Sequence, residues 1–196
     1  TAGGGADGFQ IIKTYLEMLA SRPEPADFHS LLVTGPQMAP TESKMLEQCA
    51  AATAAPVTLK HFTSHLSDYL RIADLVITMG GYNTVMEILG DGRRAIIVPR
   101  VRPRLEQLIR AERLAARNLV CMIHPDELTP MRLRAEMDSA LKPNGPLDPL
   151  GMQLHMDGVE KVSSILAWLL NARGRATPFA SAPATLADSS AAAAWE

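Results

Sequence analysis

Residues 74–90, Asp-Leu-Val-Ile-Thr-Met-Gly-Gly-Tyr-Asn-Thr-Val-Met-Glu-Ile-Leu-Gly, join a short apolar run, two glycines and a helix start that carries one carboxylate. Those residue types in that order suit an anion. Leu75 to Thr78 read as a buried strand, and Gly80 and Gly81 lack the Cβ atoms that would hold a ligand away from the backbone. Asn83 or Thr84 can cap a helix through Val85, Met86, Ile88 and Leu89, whose free N–H groups and positive dipole end face whatever lies above the glycines. A diphosphate fits that place. Glu87, three residues beyond Thr84, can accept hydrogen bonds from a sugar diol, or it can close a capping box on the Thr84 N–H.

A second cluster follows the apolar run Ala95–Val98, in the order Pro99-Arg100-Val101-Arg102-Pro103-Arg104-Leu105-Glu106-Gln107. Arg100, Arg102 and Arg104 alternate along a segment stiffened by two prolines, which fits a phosphate clamp at the same sheet edge. Glu106 and Gln107 then supply an acceptor and an amide for reading sugar hydroxyls. The same residues also read as a solvated charged loop with Glu106 in a helix-dipole or salt-bridge role.

The elements that must position these groups alternate between apolar and amphipathic, the signature of βα units and a parallel sheet. Strands are expected at Phe28–Thr34, closed by Gly35-Pro36, and at Val57–Phe62, Leu75–Thr78, Ala95–Val98 and Val120–Ile123. Helices are expected at Thr41–Ala54, Ser64–Ile72, after Gly81, and at Leu105–Arg117 and Thr129–Leu141. At the front, Thr1-Ala2-Gly3-Gly4-Gly5-Ala6-Asp7-Gly8 is a glycine-rich turn leading into a helical pattern, without the strand that should feed it. The chain is therefore expected to be a piece of a longer protein, cut just after its first strand. These internal strands plus that one make a doubly wound sheet, in which ligands collect at the carboxyl ends of the strands. Gly3, Gly4, Gly5, Gly35, Phe62, Gly80 and Pro99 would all fall there. A loop at Lys142–Gly151 and a final amphipathic helix at Gly158–Leu170 complete a domain over residues 1–172. Residues 173–196, mostly Ala, Ser, Thr and Pro, are expected to form a flexible tail.

Composition narrows the field. With 196 residues, 47% hydrophobic content and a formal charge of −2, the chain can hold one domain with a sizeable core and has no basic excess for nucleic acid. Its apolar runs fall far short of the roughly 20 residues of a spanning helix, and no secretory signal peptide opens it, so a cytoplasmic setting is expected. Cys49 and Cys121 read as buried thiols rather than a disulfide or metal pair.

Together, Thr-Ala-Gly-Gly-Gly-Ala-Asp-Gly, Val33-Thr-Gly-Pro, Met79-Gly-Gly-Tyr-Asn-Thr-Val with Glu87, and Pro99-Arg-Val-Arg-Pro-Arg-Leu-Glu-Gln resemble the C-terminal donor domain of the GT-B glycosyltransferases. In particular they resemble a bacterial group related to the enzyme that adds N-acetylglucosamine to the lipid-linked peptidoglycan precursor. The resemblance covers about residues 1–140 and implies a Rossmann-like α/β half of a two-domain enzyme. It implies that Gly3 to Gly5 face the interdomain cleft and that Phe62 lies beside the nucleobase. The amides near Gly80, Gly81, Asn83 and Thr84 would hold the diphosphate, Glu87 would bond the ribose, and Glu106 and Gln107 would face the donor sugar. His61 and His65 flank Phe62 and either line the base pocket or serve the structure.

The resemblance implies a nucleotide sugar as partner, with uridine as the family default, and an inverting hexosyl transfer. No Asp-x-Asp sequence occurs. With the helix dipole and the arginines available for the leaving diphosphate, a metal-independent reaction without a cofactor is expected. The general base would belong to an N-terminal acceptor domain, so this half should bind donor without turning it over. Peripheral membrane contact would come through the full-length protein. Two other readings are a nucleotide-sugar 2-epimerase of the same fold, which needs further acid–base groups in the cleft, and a non-catalytic nucleotide-binding module with no sugar preference.

Overall fold

Short apolar runs bounded by glycine or proline become parallel strands, and the amphipathic stretches between them become helices. The computed structural model describes residues 1–22, 26–143, 145, 147 and 157–172. Its elements are α1 (Phe9–Ala20), β1 (Ser30–Val33), α2 (Pro40–Ala52), β2 (Val57–Lys60), α3 (Leu66–Ile72), β3 (Leu75–Thr78), α4 (Tyr82–Gly90), β4 (Arg94–Ile97), α5 (Glu106–Ala115), β5 (Cys121–Met122), α6 (Pro130–Ala140) and α7 (Gly158–Ala172). A single 3-10 turn at Pro125–Glu127, not expected from the sequence, links β5 to α6.

Five strands stand among the described residues, one at each expected place, and they form two sheets: β1 pairs with β2, and β3, β4 and β5 pair in that order. All pairings are parallel, with Leu32 opposite Leu59 and Ile77 opposite Ile96. Several strands are shorter than the apolar runs that announce them, because pairing stops where the neighbour ends. Phe62 accordingly lies beyond β2, in the loop after it, rather than at a strand end.

Helix α1 holds the two sheets together. Its spacing of Ile12, Tyr15, Leu16 and Leu19 makes one apolar face, and these residues share a buried cluster with Leu32 of β1, Ile96 of β4, and Leu133 and Met137 of α6. Each fully buried side chain of this kind, such as Leu16 or Ile96, contributes about 1.5–3 kcal/mol. Tyr15 Oη also meets Ser30 Oγ at 2.6 Å, a buried polar contact between α1 and β1. On β4, Ile96 belongs to this cluster while the adjacent Ile97, also buried, lies against Gly80 near Val85 of α4. Apolar residues thus fill both faces of β4, as a strand covered by helices on both sides requires. Helix α6 starts as its sequence dictates, with Pro130 in its first turn and Thr129 Oγ1 accepting the Arg132 N–H at 3.1 Å.

The chain divides into two compact units, Thr1–Met152 and Gln153–Glu196, the second of which contains α7. The expected tail at residues 173–196 lies outside the described residues. Among the described residues no helix is long and apolar enough to cross a membrane.

Backbone meets backbone where the first turn touches the end of β1. Gly35 has φ +92°, and a Cβ there would lie 2.6 Å from the Gly4 carbonyl carbon. The Gln37 N–H donates to the Gly4 carbonyl at 2.7 Å and locks the two loops together. Gly35→Ala combines left-handed strain with a clash against a backbone that cannot rotate away. It should destabilise the fold by about 2–5 kcal/mol, measured by urea unfolding of the variant against the parent chain.

Candidate functional site

Because every strand is parallel, the loops that follow them collect at one edge. Gly3 to Gly5 come first in the chain, Gly35 follows β1, His61 and Phe62 follow β2, Gly80 and Gly81 follow β3, and Pro99 and Arg100 follow β4.

The turn from β3 into α4 is the most constrained of these. Gly80 has φ +78°, and a Cβ on it would stand 2.7 Å from Ile97 Cγ2, so the backbone itself packs on the sheet. Helix α4 starts two to three residues earlier than the sequence suggests. Gly81 is its N-cap, with φ −56° and ψ 143°, and no side chain caps it. Asn83 and Thr84 are therefore inside the first turn rather than at the cap. Strand exit and the Gly80 seat, not side-chain capping preference, set where the helix begins. The first intrahelical bond runs from the Val85 N–H to the Gly81 carbonyl at 3.0 Å, which leaves the Tyr82, Asn83 and Thr84 amides at the open end of the helix. A Cβ on Gly81 would meet nothing within 4 Å, so open space lies beside that end.

The same boundary removes the capping-box role for Glu87, which now sits in the second turn of α4. Its Oε2 is buried and has no hydrogen-bond partner among the described residues. A buried, unpartnered carboxylate oxygen costs free energy unless something else satisfies it.

The arginine cluster is partly committed. Arg100 Nη1 donates to Asp7 Oδ2 at 3.0 Å, stapling the loop after β4 to the glycine-rich first turn, and the Arg100 backbone N–H donates to Gln107 Oε1 at 3.1 Å. Arg102 and Arg104 are exposed. Glu106, also exposed, pairs with Arg110. Gln107 thus keeps its amide nitrogen for a ligand, whereas its oxygen is used to hold the loop. Phe62 is 65% exposed, an aromatic ring presented at the edge. His61 Nδ1 lies 3.3 Å from the buried Thr34 Oγ1, a structural contact, and His65 pairs with Asp68 at 3.4 Å.

One residue of this site, Arg110, carries no motif signal. Arg110 Nη1 donates to the Gly80 carbonyl at 2.9 Å, and its guanidinium lies 5.4 Å from the centre of the Tyr82 ring. It therefore reaches from α5 to the start of α4 and fixes the peptide that precedes the open amides. In sequence, Arg110 is an ordinary charge four residues after Glu106, and only that spacing hints at a pairing. Cys49 and Cys121 are both free thiols, half-buried. Burial, reinforced by the hydrogen bond from Cys121 Sγ to Glu136 Oε2 at 3.1 Å, pushes the Cys121 thiol up to about 12, which keeps it protonated and inert.

The chain is 27% identical over 172 residues to the UDP-N-acetylglucosamine–N-acetylmuramyl-(pentapeptide) pyrophosphoryl-undecaprenol N-acetylglucosamine transferase of Rhizobium johnstonii, covering 86% of this chain and 45% of that protein. The corresponding transferase of Rhizobium etli matches at the same identity and coverage. The chain thus spans about 45% of the length of these curated relatives. Among solved structures, the calicheamicin glycosyltransferase superposes with a TM-score of 0.58 at 18% identity, over 90% of this chain and 42% of that one. The glycosyltransferase of kitacinnamycin superposes with a TM-score of 0.52 at 24% identity, over 70% of this chain and 32% of that one. These structures share the fold of a GT-B half. The glycosyltransferase family 28 C-terminal domain model matches residues 2–152, the span that holds all the loops described above, and the chain belongs to that family.

Proposed function

We propose that this chain is the donor-binding half of a glycosyltransferase that takes a nucleotide-diphosphate sugar, a UDP-sugar by analogy with the relatives, and passes its hexosyl group to an acceptor held by another domain. The observation that carries this reading is the pairing, on one helix, of open amides at Tyr82 to Thr84 with the buried, unpartnered Glu87 carboxylate oxygen. A diphosphate satisfies the amides and the helix dipole, and a ribose hydroxyl satisfies Glu87. Gly3, Gly4 and Gly5 border the cleft, and Phe62 offers a face to the base. Gln107 donates its amide to the donor sugar while Glu106 accepts from it.

As the bond to the anomeric carbon breaks, negative charge gathers on the leaving diphosphate. In this reading the N-terminus of α4 and the exposed Arg102 and Arg104 stabilise that charge without a metal, and Arg100, held by Asp7, keeps the loop in position. Attack by an acceptor hydroxyl from the opposite face, assisted by a base on the other domain, inverts the anomeric centre. The relatives' names specify a lipid-linked acceptor, which supports a cytoplasmic protein that meets the membrane surface through its other half.

Three measurements test the reading. Titration calorimetry of the chain with UDP and with UDP-sugars should show tighter binding of one sugar nucleotide than of UDP, a gain that Gln107→Ala abolishes. Equal affinity for both would leave only a nucleotide-binding module. Glu87→Ala should weaken nucleotide binding by about 1.5–3 kcal/mol with little change in melting temperature, since no partner within the fold is lost. Arg110→Ala should lower nucleotide affinity about tenfold by freeing the Gly80 peptide, and Arg110→Lys should not restore it, because one ammonium cannot bond Gly80, pair with Glu106 and cover Tyr82 together.

A further inference from the structure

The loop at residues 99–104, between β4 and α5, hangs from one side chain and one N–H of a single residue. Among the described residues it makes no backbone-to-backbone hydrogen bond. The flanking ones run from the Val98 N–H to the Thr78 carbonyl and from the Ile109 N–H to the Leu105 carbonyl, each at 2.9 Å. The polar ties of the loop are both made by Arg100, whose guanidinium meets Asp7 at 3.0 Å and whose backbone N–H meets Gln107 Oε1 at 3.1 Å. Gln107 is thereby fixed in sense as well as in place. A backbone N–H is satisfied by the amide oxygen and not by the amide nitrogen, so Oε1 faces Arg100. Nε2, which has no partner among the described residues, is the atom left for a ligand.

Asp7 stands on a firmer support than the residue it holds. It closes the glycine-rich first turn, immediately before the Gly8 N-cap of α1. That turn is bonded within itself, from the Gly5 N–H to the Ala2 carbonyl and from the Gly8 N–H to the Gly5 carbonyl, each at 3.1 Å. It is bonded to the end of β1 by the Ala2 N–H on the Val33 carbonyl at 3.1 Å, and to the turn after β1 by the Gln37 N–H on the Gly4 carbonyl. Asp7 therefore ties Arg100 to the frame of α1 and β1. Glu106, next to Gln107, is held by another route, through Arg110 to the Gly80 carbonyl, which shares no residue with the route from Asp7.

We propose that Asp7 is a positioning residue for sugar recognition: through Arg100 it holds the Gln107 amide with its nitrogen outward, so that the edge reads a hydrogen-bond acceptor on the donor sugar at that point. The inference rests on the reading of this edge as a donor site. Without Asp7 the loop swings about Pro99, the Arg100 N–H leaves Oε1, and the Gln107 amide turns either end to the ligand. The sugar then loses a hydrogen bond that the parent chain holds ready. The diphosphate is spared, because the packing of Gly80 on Ile97 and the Arg110 bond set the amides of α4 without Asp7. The fold is spared too, because the pair of Arg100 with Asp7 is half-exposed.

The test is titration calorimetry of the 196-residue chain with UDP, UDP-N-acetylglucosamine and UDP-glucose, in which the ratio of dissociation constants for UDP and the tighter sugar nucleotide isolates the sugar. Asp7→Ala should shrink that ratio about fivefold, the worth of one hydrogen bond, and leave the UDP constant and the melting temperature unchanged. Asp7→Glu, which keeps a carboxylate within reach of Arg100, should preserve the ratio, and Asp7→Ala added to Gln107→Ala should shrink it no further than Gln107→Ala alone. With no nucleotide present, Asp7→Ala should speed hydrogen exchange at the Arg100 amide about fivefold and leave the Val98 amide as it was. The proposal is overturned by a ratio that survives Asp7→Ala, by a loss shared equally with UDP affinity or melting temperature, by Asp7→Glu losing as much as Asp7→Ala, or by unchanged exchange at Arg100. A parent chain that binds no sugar nucleotide more tightly than UDP overturns the donor reading and this proposal with it, a result told apart from the others because it precedes any substitution.

Discussion

The whole carboxyl edge of the sheets depends on one close approach, the Gly80 backbone against Ile97. A side chain at that position would stand inside van der Waals distance of a buried isoleucine on the central strand. With the seat taken by bare backbone, β3 turns directly into α4, and the first amides of the helix stay open beyond Gly81. The Arg110 bond to the Gly80 carbonyl then fixes the orientation of that peptide from a second element. Core packing and the position of the open amides are therefore set by the same few atoms, and the glycine at this turn serves both.

The fold distributes its stability unevenly around that edge. Helix α1 contributes the largest share of the buried cluster and touches β1, β4 and α6 residues alike, so it ties together two sheets that share no backbone bonds. By contrast, the loops at the carboxyl edge are joined by a small number of polar contacts, such as Arg100 with Asp7 and with Gln107. The Arg100–Asp7 ion pair is half-exposed and contributes little to global stability, yet it determines where the loop after β4 lies. Positioning here costs little because the strands beneath do the stabilising.

Much of this was legible in the sequence. Apolar run, glycine pair and amphipathic stretch gave β3, the turn and α4, and Pro130 after Thr129 gave the start of α6. The boundary at α4 was misread because Asn and Thr are favoured caps, whereas the exit angle of β3 imposes the cap on Gly81. Phe62 reads as the end of a strand because it closes the run that begins at Val57, but the parallel ladder stops at Lys60, opposite Val33. Arg110 was invisible for a different reason. A charged residue on an amphipathic helix looks like solvent-facing surface until the fold brings a carbonyl from thirty residues earlier within reach of its guanidinium.

Gly35 and the first turn meet with no side chain between them. Nothing at that junction can repack by changing rotamer, so the two loops move as a unit or not at all. This edge is consequently stiff, and any give along it falls to the exposed side chains that border it.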